Sequence, residues 1–375
     1  MREKISRRDF AQKGAVIGSS GAMIALAGCQ DNAGSGGNGN GNGNGNGSES
    51  GSTDESSSDY PMDTISFVNH YSEGGGIDTN FRQFQPYWEE ELGGTFQQNY
   101  QAGAGTRNGA TFVQNQDADC YTIGGVNTPA LPSTIAFDRN DDTRDPAFQL
   151  EDLEFIGTLT SEYTIVRVRS DDDRFETLTD VIEYAEENPD DITFGTSGPT
   201  NRFALATIQF FEETGLDQRI VPYEGGGPVQ TALIQEEVDV IFRGVYNSRG
   251  IEDSSDCLAI LAEENSWPEI TDEAPRMHDV ISDWSYDYGP TVGYQTYYLT
   301  AEAAEAYPDR YETLVETMSA AADSSGYEEE LLAVDELEPG KVDNRSPEET
   351  RGLWEGAISA YEEFVPLFEE YVQGQ

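Results

Sequence analysis

Lysine is almost missing from this chain. Beyond Lys13 the 375 residues contain only Lys341, and Lys plus Arg number 21 against 71 Asp plus Glu, a formal charge of −50. Without a basic footprint the chain cannot neutralise phosphate backbones, which excludes nucleic-acid binding. Histidine is scarce too, with only His70 and His278, and no HExxH, CxxC, GxSxG or P-loop pattern occurs. The usual catalytic constellations are therefore absent, and acids are so common that adjacent carboxylates single out no acid–base pair. The GGGID turn lacks the spacing of a dinucleotide fingerprint, so neither cofactor nor metal is expected. The apolar stretch from about Gly14 to Gly28 is too short to span a bilayer. No short-period repeat is present, which removes solenoids and propellers.

What is there begins with an export pattern. Arg7-Arg8 followed by Asp9-Phe10 and an apolar run has the twin-arginine form, and the run ends in Leu26-Ala27-Gly28-Cys29. Small residues before a cysteine resemble a lipobox, so residues 1–28 read as a signal and Cys29 as the lipidated residue. Residues 29–60 are rich in Gly, Asn and Ser and read as a flexible linker. The expectation is an extracytoplasmic protein, a monomer, anchored by lipid to the outer face of the cell membrane. Removing residues 1–28 leaves 16 basic against 69 acidic groups. The acids recur on the polar faces of periodic helices, not in one tail. Such acid-rich, lysine-poor surfaces resemble those of haloarchaeal and other brine proteins, where a Debye length of about 3 Å at molar salt screens self-repulsion.

Periodicity places elements along the body. Strands are expected at 64–71, 95–101 and 118–126, with helices between them. The first helix carries Ile77, Phe81, Phe84, Trp88 and Leu92 at helical spacing. This βαβαβ alternation predicts a parallel sheet with helical crossovers. A second α/β set follows from 153 to 264, then a strand at 292–300 and helical segments around 302–325 and 347–373. The plan is two-lobed: lobe one from residues 61–165 plus 290–375, lobe two from 166–289. The chain crosses near 165 and 290 and finishes on lobe one. Cys120 and Cys257 then fall in different lobes and are expected as unpaired, buried thiols.

Four turns rich in glycine and hydroxyls lead strands into helices: EGGGID (73–78), QAGAGT (101–106), TSGPTN (196–201) and YEGGGP (223–228). Glycines allow close backbone approach, and free N–H groups at a helix start favour an anion. Two such turns per lobe, at the carboxyl ends of strands, point to a ligand cleft between the lobes. Backbone donors need no lysine, so an acidic chain can still hold a carboxylate. His70, at a strand end beside the glycines, is expected to make a structural hydrogen bond.

VNHYSEGGGID, NYQAGAGTRNG, DADCYTIGGVNTPALPS, ENPDDITFGTSGPTNRFALA and VPYEGGGPVQTALIQEEVDV follow one another over some 170 residues. In order and spacing they resemble the PGGGTD, RPGAGG, PDGYTL, NPGKLxYGSxGxGS and PYKGGxPAxxDLLGGxVD segments of tripartite tricarboxylate transporter receptors, the Bug/TctC type. The resemblance implies an α/β, two-lobed periplasmic-binding-protein-like fold of type II, each lobe a sheet flanked by helices. It also implies a non-enzymatic receptor that binds a small di- or tricarboxylate, partly through backbone amides and waters, and delivers it to membrane transporter subunits. Two other readings remain: a receptor feeding a sensor, and an exported hydrolase. Carried across, Gly74, Gly75, Gly76 and Asp78 match the first binding loop, and Gly103, Gly105 and Thr106 the second. Asn127 and Thr128 follow the third motif. Thr196, Ser197, Gly198, Thr200 and Asn201 match the lobe-two loop, and Tyr223 opens the last. Glu73 stands for the family proline, Ile77 for a threonine, Cys120 for a glycine and Glu224 for a lysine.

Overall fold

The computed structural model describes residues 60–141, 148–189 and 191–373. The export signal, Cys29 and the linker before Tyr60 lie outside the described residues. Among those described, no helix is long and apolar enough to cross a membrane.

The chain runs through β1 (Ile65–Asn69), α1 (Gly76–Leu92), β2 (Phe96–Tyr100), α2 (Arg107–Gln114), β3 (Thr122–Thr128), α3 (Ala130–Arg139) and β4 (Leu153–Glu162). It continues as β5 (Thr164–Arg169), α4 (Leu178–Glu187), β6 (Thr193–Thr196), α5 (Arg202–Thr214), β7 (Arg219–Pro222), α6 (Gly226–Ile234), β8 (Val240–Gly244) and β9 (Ser255–Leu261). Two single-turn helices, α7 (Pro268–Thr271) and α8 (Met277–Val280), precede β10 (Gly293–Thr300). Then come α9 (Ala301–Ala306), α10 (Pro308–Ala322), α11 (Ser325–Val334), β11 (Val342–Arg345) and α12 (Pro347–Phe368).

The strands form two sheets, one of six in the order β11-β4-β10-β3-β1-β2 and one of five in the order β7-β6-β8-β5-β9. β1 pairs in parallel with β2 and β3, as the βαβαβ pattern predicts. The sheets are nonetheless mixed: β10 is antiparallel to β3 and β4, and β5 is antiparallel to β8 and β9. The difference has a simple origin. β5 and β10 are entered from the opposite sheet, not through a helical crossover, so nothing forces them to run with their neighbours.

Alternation along β1 sends Ile65 and Phe67 to one face and Val68 to the other. On the first face Ile77, Phe81, Phe84, Trp88 and Leu92 of α1 are all buried, with Phe81 stacked on Phe67 at 3.5 Å between ring centroids. On the second face Trp354, Ile358, Tyr361, Phe364 and Phe368 of α12 are buried, and they join an apolar cluster that continues through Phe210 and Phe211 of α5 into the second sheet. The end of the chain thus leaves the first sheet. Tyr371 packs on Phe211 at 5.5 Å, its hydroxyl bonds Glu212 at 3.0 Å, and Phe364 meets Tyr286 at 5.4 Å.

Cys120 and Cys257 are both free; Cys120 is buried, Cys257 only partly so. Cys120 lies in a turn with φ 66°, not in the strand expected to include it. The resemblance places glycine there, and a left-handed conformation explains that preference.

Candidate functional site

Between the sheets lies a cavity of about 700 Å³. Its first wall comes from the β1–α1 loop, the β3–α3 junction, the end of β4 and Lys341. Its second wall comes from the β6–α5 loop, the start of α6, the end of β8 and Tyr246–Asn247. Tyr71, Ala130 and Asn201 also line an adjoining cavity of about 570 Å³.

The residues expected at the ligand divide into groups. Gly74, Gly76, Asn127, Thr128, Ser197 and Asn201 line the main cavity. Gly103, Gly105, Thr106 and Thr200 line the adjoining one. The others shape the loops. Gly75 is the extended N-cap of α1 (φ −76°), and its N–H is already given to Ser72 O at 3.2 Å; the left-handed residue of this turn is Gly74, at φ 81°. Asp78 is buried and accepts from Gly74 N at 2.8 Å, Arg82 Nε at 2.8 Å and the Tyr100 hydroxyl at 2.8 Å. Burial works against its charge, but the Gly74 N–H and the side-chain donors outweigh it and hold the carboxyl below the usual range. Thr196 is buried and donates to Gly198 O at 3.1 Å. Tyr223 lines neither cavity and donates to Glu237 at 3.4 Å.

The helix starts are not equivalent. Asn201 caps α5, its Oδ1 accepting from Phe203 N at 3.0 Å and Ala204 N at 3.1 Å. That helix therefore spends on itself the donors expected to meet a ligand. By contrast α1, α3 and α6 have no side-chain cap, and their first residues, Gly76, Ala130 and Gly226, face the main cavity. These starts keep N–H groups for an anion.

Three cations stand in the same cavity: Arg202, Arg243 and Lys341, with one carboxylate, Glu162. The chain's sole lysine after residue 13 is among them. Its Nζ pairs with Glu338 and lies 4.6 Å from the Tyr246 ring centroid. Arg202 pairs with Glu162 and is largely buried. Arg243 is 7% exposed. None of the three belongs to the four glycine-rich turns. Two signals were visible: Arg202 opens a helix whose first turn is apolar, where the dipole disfavours a cation, and Arg243 follows the apolar run Val240–Phe242 of β8.

His70 makes the structural bond expected of it. It is buried, with Nε2 2.9 Å from the Tyr298 hydroxyl, and its ring fills the space a Cβ on Gly109 would need. Burial lowers its pKa to about 3. The unfolded chain, near 6.5, therefore binds a proton that the folded chain refuses between those values. The stability due to neutral His70 is complete above pH 6.5 and falls by about 1.4 kcal/mol per unit as pH drops toward 3. Denaturant titrations at fixed salt will show the wild type losing about that much more per unit than His70→Gln. Parallel pH profiles would contradict this.

Residues 80–252 match the family model described as tripartite tricarboxylate transporter family receptor. A Pseudomonas sp. (strain P51) protein from the tcbD–tcbE intergenic region is 27% identical over 191 residues, 51% of this chain and 55% of that protein. The chain spans about half the length of the curated relatives it matches. MatC from Rhodopseudomonas palustris, solved with bound malate, superposes with a TM-score of 0.63 at 20% identity, covering 82% of this chain and 100% of that one. An R. palustris protein solved with adipate gives 0.64 at 17%, covering 84% and 99%. The chain has the two-lobed α/β fold of periplasmic binding proteins, and over residues 80–252 it is similar to the receptors of tripartite tricarboxylate transporters.

Proposed function

We propose that this chain is an extracytoplasmic receptor that captures a small carboxylate between its lobes and passes it unchanged to the membrane subunits of a tripartite tricarboxylate-type transporter. The observation that carries this reading is the sign of the cleft. A protein of charge −50 lines its interlobe cavity with Arg202, Arg243 and Lys341 against one acid, Glu162. A low-dielectric cleft of one sign concentrates ligands of the opposite sign. Lobe one corresponds to residues 61–163 with 290–375 and lobe two to 164–289, the break falling before the expected 165 because β5 starts at Thr164 in the second sheet. Cys29 carries the lipid that keeps the receptor at the membrane, and the acid-rich surface is an adaptation to salt.

The malate and adipate held by the similar structures supply the first probes. Calorimetric titration in molar salt with C4–C6 di- and tricarboxylates gives saturable binding of at least one, and mass spectrometry recovers it unaltered. No binding across that panel would refute the carboxylate reading, and turnover would refute the receptor. The lipid is tested separately, by the mass of the chain extracted from membranes. A mature chain without a diacylglyceryl-sized addition at Cys29 would remove the anchor.

A further inference from the structure

We infer that Arg243 is the direct anion contact of the second lobe, a side-chain cation beside the backbone, hydroxyl and water donors that the sequence leads one to expect. The inference rests on the carboxylate-receptor reading and names the residue that gives the site its main contact.

Arg243 differs from the other two cations of the cavity in its partners. Of the three cations in the main cavity, Arg202 is paired with Glu162 and Lys341 with Glu338. Arg243 has no carboxylate within ion-pair distance among the described residues. Its Nε has no hydrogen-bond partner, and its other contacts are long: Nη1 to Ser197 Oγ at 3.3 Å and Nη2 to Asn247 O at 3.5 Å. Glu162 is near enough to act on it electrostatically but is already engaged, accepting from Arg202, from Asn247 N at 2.8 Å and from Asn247 Nδ2. A guanidinium removed from water needs a counter-charge to offset its desolvation. The strain is visible in its acidity: burial lowers the Arg243 pKa to about 10.

The second argument concerns its neighbour. A Cβ on Gly226 would lie 2.3 Å from Nη2, so the glycine lets the guanidinium rest against the first turn of α6. That turn is uncapped and is the positive end of a nine-residue helix. Two positive poles therefore adjoin at the cavity, and among the described residues no carboxylate pairs with Arg243. A carboxylate placed there accepts from the Arg243 guanidinium, the free N–H groups of α6 and the Ser197 hydroxyl together. Ser197 is held for this by Asn201 Nδ2 at 3.1 Å.

The test compares Arg243→Gln with Arg219→Gln. Arg219 is exposed and lines neither cavity, so it repeats the charge change away from the site. Titration with whichever of malate, adipate or citrate the wild type binds gives a loss of roughly ten- to a hundredfold for Arg243→Gln, and less than about twofold for Arg219→Gln. Arg243→Lys, which keeps the charge and loses the fork, falls between. If Arg243→Gln does not fold, phenylglyoxal labelling of the wild type takes its place, with ligand protecting the Arg243 peptide. Unchanged affinity in a folded Arg243→Gln, or no protection, overturns the inference and leaves the receptor reading intact. A wild type that binds none of the three overturns both.

Discussion

Reducing potassium chloride from about 4 M to about 0.2 M lowers the midpoint of thermal unfolding by on the order of 10 °C or more. The Debye length grows from about 3 Å at 1 M to about 10 Å at 0.1 M, which brings neighbouring exposed charges within range of one another. They are nearly all negative. Glu328, Glu329 and Glu330 stand exposed in succession on α11, and the 69 acids after residue 28 outnumber the bases by 53. Self-repulsion of this kind disfavours the compact state, and a few kcal/mol is a large share of the stability of an ordinary domain. The measurement is a calorimetric or circular-dichroism melt over that range, repeated in low salt with sucrose to separate screening from exclusion of cosolute. A flat midpoint would end the brine interpretation.

Arg202→Met lowers stability by about 3–5 kcal/mol, the usual loss when one member of a buried ion pair is removed, and shifts the midpoint by on the order of 10 °C. The side chains of Arg202 and Glu162 are only 9% and 16% exposed. Position adds to burial. Arg202 Nη1 also donates to Glu162 O, to Thr164 Oγ1 at 3.3 Å and to Thr291 O at 3.3 Å. Residues 162–164 form the passage from β4 to β5, and Thr291 lies on the return to β10, so one guanidinium ties both strand crossings. Glu162→Gln costs less, since the Arg202 bonds to carbonyl oxygens survive, and the double variant costs less than the sum of the singles. Additive losses would show that the two side chains act independently.

Much of this was legible in the residues. The buried stripe of α1 needed only a 3.6-residue period, and the four glycine turns do stand at helix starts. Other parts depend on what a residue meets from far along the chain. β11 is the edge strand VDNR, without apolar alternation, and its existence is set by pairing with β4. α3 contains Pro132 and follows Pro129, which reads as extended chain. Both prolines fall where a helix start has no N–H bond to lose. Asn201 lines both cavities and also caps α5, two roles that favour the same residue type and that local sequence does not separate. Arg243 was the hardest to see, because its significance lies in the partners it lacks, and local sequence carries no record of those.

The final turn of the chain changes the mechanics of the pair of lobes. Two adjacent strands make a pliable axle about which one body can both swing and twist. α12, packed on the first sheet and fastened by Tyr371 to α5, adds a strut away from that axle. Swinging the lobes apart must then bend a 22-residue helix or slide the aromatic contacts at its end. The strut is expected to stiffen opening more than rotation about itself, so that, on the proposed function, a ligand would leave by a shearing of the walls more readily than by a wide gape.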